Sequence, residues 1–114
     1  MRKSCSTNTI NKKQIEENCG IAYTNSILSG RWKLNILAFL LSEKTLRYSE
    51  LKNLLVGISE RMLITQLKEL QVDGLVNRIS YPEVPPRVEY ELTDKGKSLE
   101  HILIEMAKWG STHK

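Results

Sequence analysis

Arg61, Thr65 and Lys68 recur at i, i+4 and i+7. On an α-helix that spacing sets a guanidinium, a hydroxyl with its methyl group and an ammonium along one stripe. Ser59 and Gln66 border the stripe. These side chains recognise by hydrogen bonding and need neither a nucleophile nor a metal. Arginine offers a fork to a guanine edge, glutamine pairs with an adenine edge, and threonine uses its hydroxyl or touches a thymine methyl. Leu63, Leu67 and Leu70 have the same spacing roughly opposite, which predicts a buried face behind the polar one. A solvated helix face has the same pattern, so the stripe alone leaves both readings open. Three further cations suit phosphate: Arg47 and Lys52 around the preceding short helix, and Arg87 after Pro85 and Pro86. Prolines would hold Arg87 out on a stiff loop, although Glu83 and Glu89 are near enough in sequence to pair with it.

The elements needed to position these residues can be read around them. Ser59 has the form of an N-cap with Glu60 in the first helical turn, and Gly74 stops the helix after about Asp73. Upstream, Ser49 reads as the cap of a short helix through residues 50–55, with a turn at Val56, Gly57 and Ile58. Downstream, residues 76–81 and 87–92 read as strands joined by a loop whose three prolines exclude a central strand position. Residues 45–48 are short and extended, suited to pairing with that hairpin. The order is a helix-turn-helix followed by a β-wing, an α+β arrangement that presents a helix to the major groove of double-stranded DNA. This context turns the balance on the polar stripe toward DNA.

Two more helices flank this unit. Trp32, Ile36, Leu37, Leu40 and Leu41 predict a central core helix, preceded by a first helix that ends near Ser29 and Gly30. Thr93 caps a last helix, expected to run from Asp94 to about Trp109, with Leu99, Ile102, Leu103, Met106 and Trp109 in one stripe. So large an apolar face on a terminal helix predicts packing against a second copy of the chain, joined by Tyr23, Ile27 and Leu28. A homodimer would bind paired half-sites about one helical turn apart. Residues 1–13 are polar and expected to form a flexible arm, with residues 14–114 as the winged helix-turn-helix domain.

Composition agrees with one domain. The 114 residues can bury one modest core, and 17 basic against 13 acidic side chains leave +4, which favours a polyanionic partner without proving one. The longest apolar run, residues 34–41, is broken by Asn35 and is far too short to span a membrane. The basic N-terminal residues lack an apolar signal core, so a cytoplasmic protein with thiols at Cys5 and Cys19 is expected. Two cysteines without clustered histidines make no zinc site, and no nucleophile–base pair or phosphate-cradling glycine loop is seen. The expectation is therefore no metal, no cofactor and no enzyme activity. A winged-helix module that binds protein remains the alternative from another class.

These residues closely resemble the HxlR-type winged helix-turn-helix regulators, relatives of the MarR group. The resemblance covers residues 19–110. Its most specific piece is Y-P-E-V-P-P-R-V-E-Y-E-L-T-D-K-G at residues 81–96, supported by G-R-W-K, R-Y-S-E-L, G-I-S-E-R-M-L, L-K-E-L and D-G-L-V. It implies a bacterial, homodimeric transcription regulator of repressor type acting on inverted half-sites, with a dimer built from the terminal helices. It also implies a candidate redox- or electrophile-sensing thiol at Cys19, since family members often carry a cysteine there. The chain departs from the family pattern at Gly20, where proline is common, and at Ile64, where polar residues are common. Ile64 cannot hydrogen-bond a base, so an operator sequence does not transfer from relatives. The resemblance names no small-molecule effector.

Overall fold

A computed structural model of the chain describes residues 20–114. The expected arm at residues 1–13, with Cys5, and the candidate thiol Cys19 lie outside the described residues. The chain divides into two compact units that meet in sequence after Gly30.

In the first unit, helix α1 spans Gly20–Leu28. Its C-terminal end is closed by the Ser29 amide donating to the Asn25 carbonyl at 2.8 Å, and Gly30 follows at φ +110°, a left-handed value that glycine takes without strain. Tyr23 is exposed. Ile27 and Leu28, expected at a dimer interface, are buried within the single chain.

The second unit runs α2 (Lys33–Glu43), β1 (Thr45–Arg47), α3 (Tyr48–Leu54), α4 (Glu60–Val72), β2 (Val76–Tyr81), β3 (Arg87–Leu92), α5 (Asp94–Lys97) and α6 (Glu100–His113). Its core is leucine-rich. Ile36, Leu37 and Leu40 of α2 and Leu51 of α3 join Leu63, Leu67 and Leu70 of α4, all essentially inaccessible to solvent. Each such side chain contributes about 1.5–3 kcal/mol by leaving water. Trp32 is not part of this stripe. It stands at the N-cap of α2, half-buried, with the Arg31 guanidinium 4.5 Å above its ring.

Helix α3 starts two residues earlier than its sequence suggests. The Arg47 amide donates to Glu50 Oε1 at 2.7 Å, so the carboxylate of the first turn caps the helix and Ser49 lies inside it. The three strands form an antiparallel sheet in the order β1-β3-β2. The expected pairing of the segment before α3 with the wing is observed, Leu46 facing Tyr90.

The chain after the wing is two helices rather than one. Thr93 Oγ accepts from the Gly96 amide at 3.0 Å and donates to the Gly74 carbonyl at 2.5 Å, tying the start of α5 to the turn that ends α4. Helix α5 stops after Lys97, the buried Leu99 marks the joint, and α6 begins at Glu100. Leu99 belongs to the monomer's own core, a correction to its expected place on the free stripe. Helix α6 then continues past Trp109 to His113, whose ring stacks on Trp109 at 4.3 Å, so His113 is part of an ordered turn and not a frayed end.

Gly96 is buried where α5 crosses the end of α4, and a Cβ there would collide with the Leu75 carbonyl. Gly96→Ala is therefore expected to cost about 1–3 kcal/mol, as overpacking against backbone does. Urea unfolding checks this, and an unchanged midpoint would mean that α5 shifts freely.

Candidate nucleic-acid interface

Helix α4 is positioned from behind and leaves one arc bare. Ser59 Oγ accepts from the Met62 amide at 3.0 Å, capping the helix as its sequence predicts. With Leu63, Leu67 and Leu70 against the core, Arg61, Thr65 and Lys68 fall on the exposed side. Among the described residues, the Arg61 and Lys68 side chains make neither a hydrogen bond nor an ion pair. Thr65 Oγ1 donates to the Arg61 carbonyl at 2.9 Å, which leaves its lone pairs and methyl for contact but removes its proton from use. Gln66 is half-buried with Nε2 3.3 Å from Met62 Sδ, partly withdrawn from the arc. Ile64 is 46% exposed, so it is a surface residue, available for an apolar contact.

One residue that fixes α4 escapes sequence reasoning. Lys33 of α2 is buried, and its ammonium lies 2.6 Å from Glu69 Oε1 on α4. A buried ammonium requires a counter-charge, and this one lies on the flank of α4 next to the bare arc. The ion pair thus opposes rotation of α4 about its axis. A lysine at the start of an apolar helix gives no sequence signal of that role.

The wing has two chemically distinct faces. Residues directly opposite in an antiparallel pair project to the same side. Tyr81 is paired with Arg87 and Ile79 with Glu89, while β1 places Arg47 opposite Glu89, so these side chains share one face. There Arg87 is held. Its Nε and NH2 donate to Glu83 at 3.2 and 2.8 Å, its NH1 donates to Glu89 at 2.6 Å, and its guanidinium lies 3.8 Å from the Tyr81 ring centre. The expectation of an outstretched, free cation is corrected: the carboxylates on either side of the proline loop take its donors. The hydrogen bond from Arg87 holds the Glu83 carboxyl below its usual range. A depressed carboxylate pairs at neutral pH and loses the pairing as pH falls through its folded-state value, so the brace persists under ordinary conditions. Arg47 is exposed on the same face, apart from the arc of α4. Lys52, half-buried on α3, has no ion pair among the described residues.

The opposite face pairs Arg78 with Tyr90 and Ser80 with Val88, and it borders α4. Between them lies a groove of about 530 Å³, whose walls include Ile64, Lys68 and Gln71 from the helix and Arg78 and Val88 from the wing. Arg78 is exposed and has no ion pair or hydrogen bond among the described residues. Its cross-strand pairing with Tyr90 was the signal that could have found it.

The helix-turn-helix, the three-stranded wing sheet and the bare arc of α4 decide the class together with one comparison: residues 27–114 match the HxlR-like helix-turn-helix family. The chain belongs to that family. It is similar to the HTH-type transcriptional regulator YdzF of Bacillus subtilis, at 50% identity over 88 residues, 77% of this chain and 81% of that one. Its fold is similar to the redox regulator HypR in its oxidized form, with a TM-score of 0.79 and 36% identity, covering 84% of this chain and 98% of that one. It is also similar to the reduced form of the regulator YodB from B. subtilis, with a TM-score of 0.70 and 32% identity over 83% of this chain and 93% of that one. This chain is thus a transcriptional regulator of a non-enzyme family. Among the described residues no cluster of side chains could hold a metal ion, and no helix is long and apolar enough to cross a membrane.

Proposed function

We propose that this HxlR-family regulator binds double-stranded DNA sequence-specifically, as a homodimer on inverted half-sites, and acts as a repressor by occupying its site. The observation that carries this reading is the bare arc of Arg61, Thr65 and Lys68 on a helix otherwise fixed by a buried leucine face. Arg61 and Thr65 read base edges, and Gln66 contributes from the border. Lys68, Lys52 and the capped N-terminus at Ser59 meet phosphates. Arg87 braces the wing loop through Glu83 and Glu89, and Arg47 is the cation that this outer face adds.

Dimerisation rests on α6. No residue of that helix is buried, and Ile102, Met106 and Trp109 are 42%, 48% and 67% exposed along one stripe beside half-buried Leu103. A contiguous apolar stripe of this kind marks an interface in a soluble protein. Tyr23 is a candidate for the same role through its own exposure.

Fluorescence anisotropy would compare a duplex from immediately upstream of the chain's own gene with a scrambled duplex in moderate salt. Tight binding to the first alone is expected, and Arg61→Ala should lose about 1–3 kcal/mol of discrimination. Equal weak binding to both would favour the protein-interaction module. For the dimer, Met106→Glu is expected to give a folded monomer in sedimentation equilibrium, and a dimer unaffected by this charge would place the interface elsewhere.

A second reading is favoured by the likeness to HypR, solved in both oxidized and reduced forms, and to YodB. Cys19 directly precedes α1. A sensing thiol there requires a stabilised thiolate, which the flanking Glu16 and Glu17 oppose. Thiol gating predicts that diamide changes DNA affinity in the native protein and leaves Cys19→Ser unaffected. Equal responses would remove Cys19 from the mechanism.

A further inference from the structure

The cation that the wing leaves available is not the one in its proline loop. Arg87 is held by Glu83 and Glu89 on the face turned from α4. Arg78, three residues into β2, stands on the face turned toward α4 and has no anionic partner among the described residues. Lys68 lines the groove from the helix, and it too has no ion pair among the described residues. Tyr48 lines the same groove, and its hydroxyl makes one long contact, 3.4 Å, to the Glu60 carbonyl. Two cations on one groove, neither with an anionic partner among the described residues, form a surface that favours an anion with several oxygens.

Duplex geometry supplies the anion. A helix lying in the major groove and a wing beside it stand on either side of one sugar–phosphate strand, because such a strand is what separates the major groove from the minor groove. The strand must therefore pass through the cleft between α4 and the wing. We propose that the groove between α4 and β2 is the seat of that strand, with Lys68 and Arg78 on its two walls as phosphate contacts. The assignment rests on the DNA-binding reading above and deepens it, because it names the residue through which the wing holds the backbone. Arg78 presents a fork that grips two phosphate oxygens, whereas Lys68 acts as a point charge. Neither contact carries sequence information, so the seat fixes register and leaves base choice to Arg61 and Thr65.

The salt dependence of binding tests this directly. Each neutralised phosphate adds about 0.9 to the slope of log K against log salt for B-DNA. Anisotropy titrations over a range of KCl would use a mixed-sequence duplex of roughly 30 base pairs, long enough for two half-sites one turn apart, and the duplex from upstream of the chain's own gene. The expected result is that Arg78→Ala lowers the slope by about 0.9 for each binding subunit, by the same amount on both duplexes, with the ratio of their affinities unchanged. Lys68→Ala should behave alike, and Arg78→Lys should restore the slope while recovering only part of the affinity. Arg87→Ala serves as the contrast and should leave the slope nearly unchanged. A native slope in Arg78→Ala, in a variant whose urea midpoint is also native, overturns the assignment. So does a change of sequence preference at constant slope. If the native protein binds neither duplex at low salt, the DNA-binding reading itself fails and the groove assignment with it. Binding by the native protein with an unaltered Arg78→Ala slope sinks the groove assignment alone.

Discussion

The structure depends on how α4 is anchored. Leu63, Leu67 and Leu70 are sealed in the core, which fixes the depth and tilt of the helix. Burial of that face resists large rotation of the helix, because turning it would bring the three leucines into water. The Lys33–Glu69 pair adds a directional constraint. The Lys33 ammonium is 7% exposed and would be left without its counter-charge if α4 turned. A polar arc can read base edges only if its azimuth is defined, so this ion pair links core packing to recognition. Glu69 itself is 51% exposed, and much of its hydration survives pairing. The desolvation cost therefore falls mainly on the lysine, which makes the pair more a device of orientation than of net stability.

The wing divides its charge between faces in a way that follows from strand alternation. On one face Arg87 lies over Tyr81 and answers two carboxylates, a compact arrangement that stiffens a loop with few ladder hydrogen bonds of its own. Its net charge is close to that of a single carboxylate, so this face has little long-range pull on a polyanion apart from Arg47. On the other face Arg78 lies opposite Tyr90 and keeps its charge uncompensated beside Lys68. Under the proposed DNA-binding reading, the asymmetry would draw a duplex toward the side of the wing that adjoins α4. A uniformly basic hairpin would bind more strongly at low salt but would not select between its two sides.

Most of the element order was legible in the sequence because its punctuation is strong. Ser59 and Gly74 bracket α4, three prolines interrupt the hairpin, and the leucine spacing names the buried face. What escaped were features set by pairing across the fold. Arg87 has the same sequence environment whether it reaches out or folds back, and only the shared face of Tyr81, Arg87 and Glu89 decides for the latter. Lys33 gives no local sign of burial. The break between α5 and α6 was invisible because residues 94–109 carry helical periodicity throughout; what divides them is a tertiary contact, the docking of Gly96 on Leu75, which buries Leu99 at the joint.

That break has a consequence for assembly. Were residues 94–109 one straight helix, the apolar stripe would be shared between the core and the outside, and a partner would meet only part of it. Ending α5 after Lys97 assigns Leu99 to the core and releases α6 as a separate rod. Its stripe from Ile102 through Met106 to Trp109 then faces outward along two full turns, with Trp109 propped by the stacked His113 ring. A rod with no buried residue of its own has little intramolecular reason to remain helical beyond a few turns, because isolated helices of this length are marginal in water. The packing missing from the monomer is of the kind that a second copy of α6 would supply. Helix formation at this end of the chain and subunit association would then be coupled, and the spacing between two reading helices would be set by how two such rods cross.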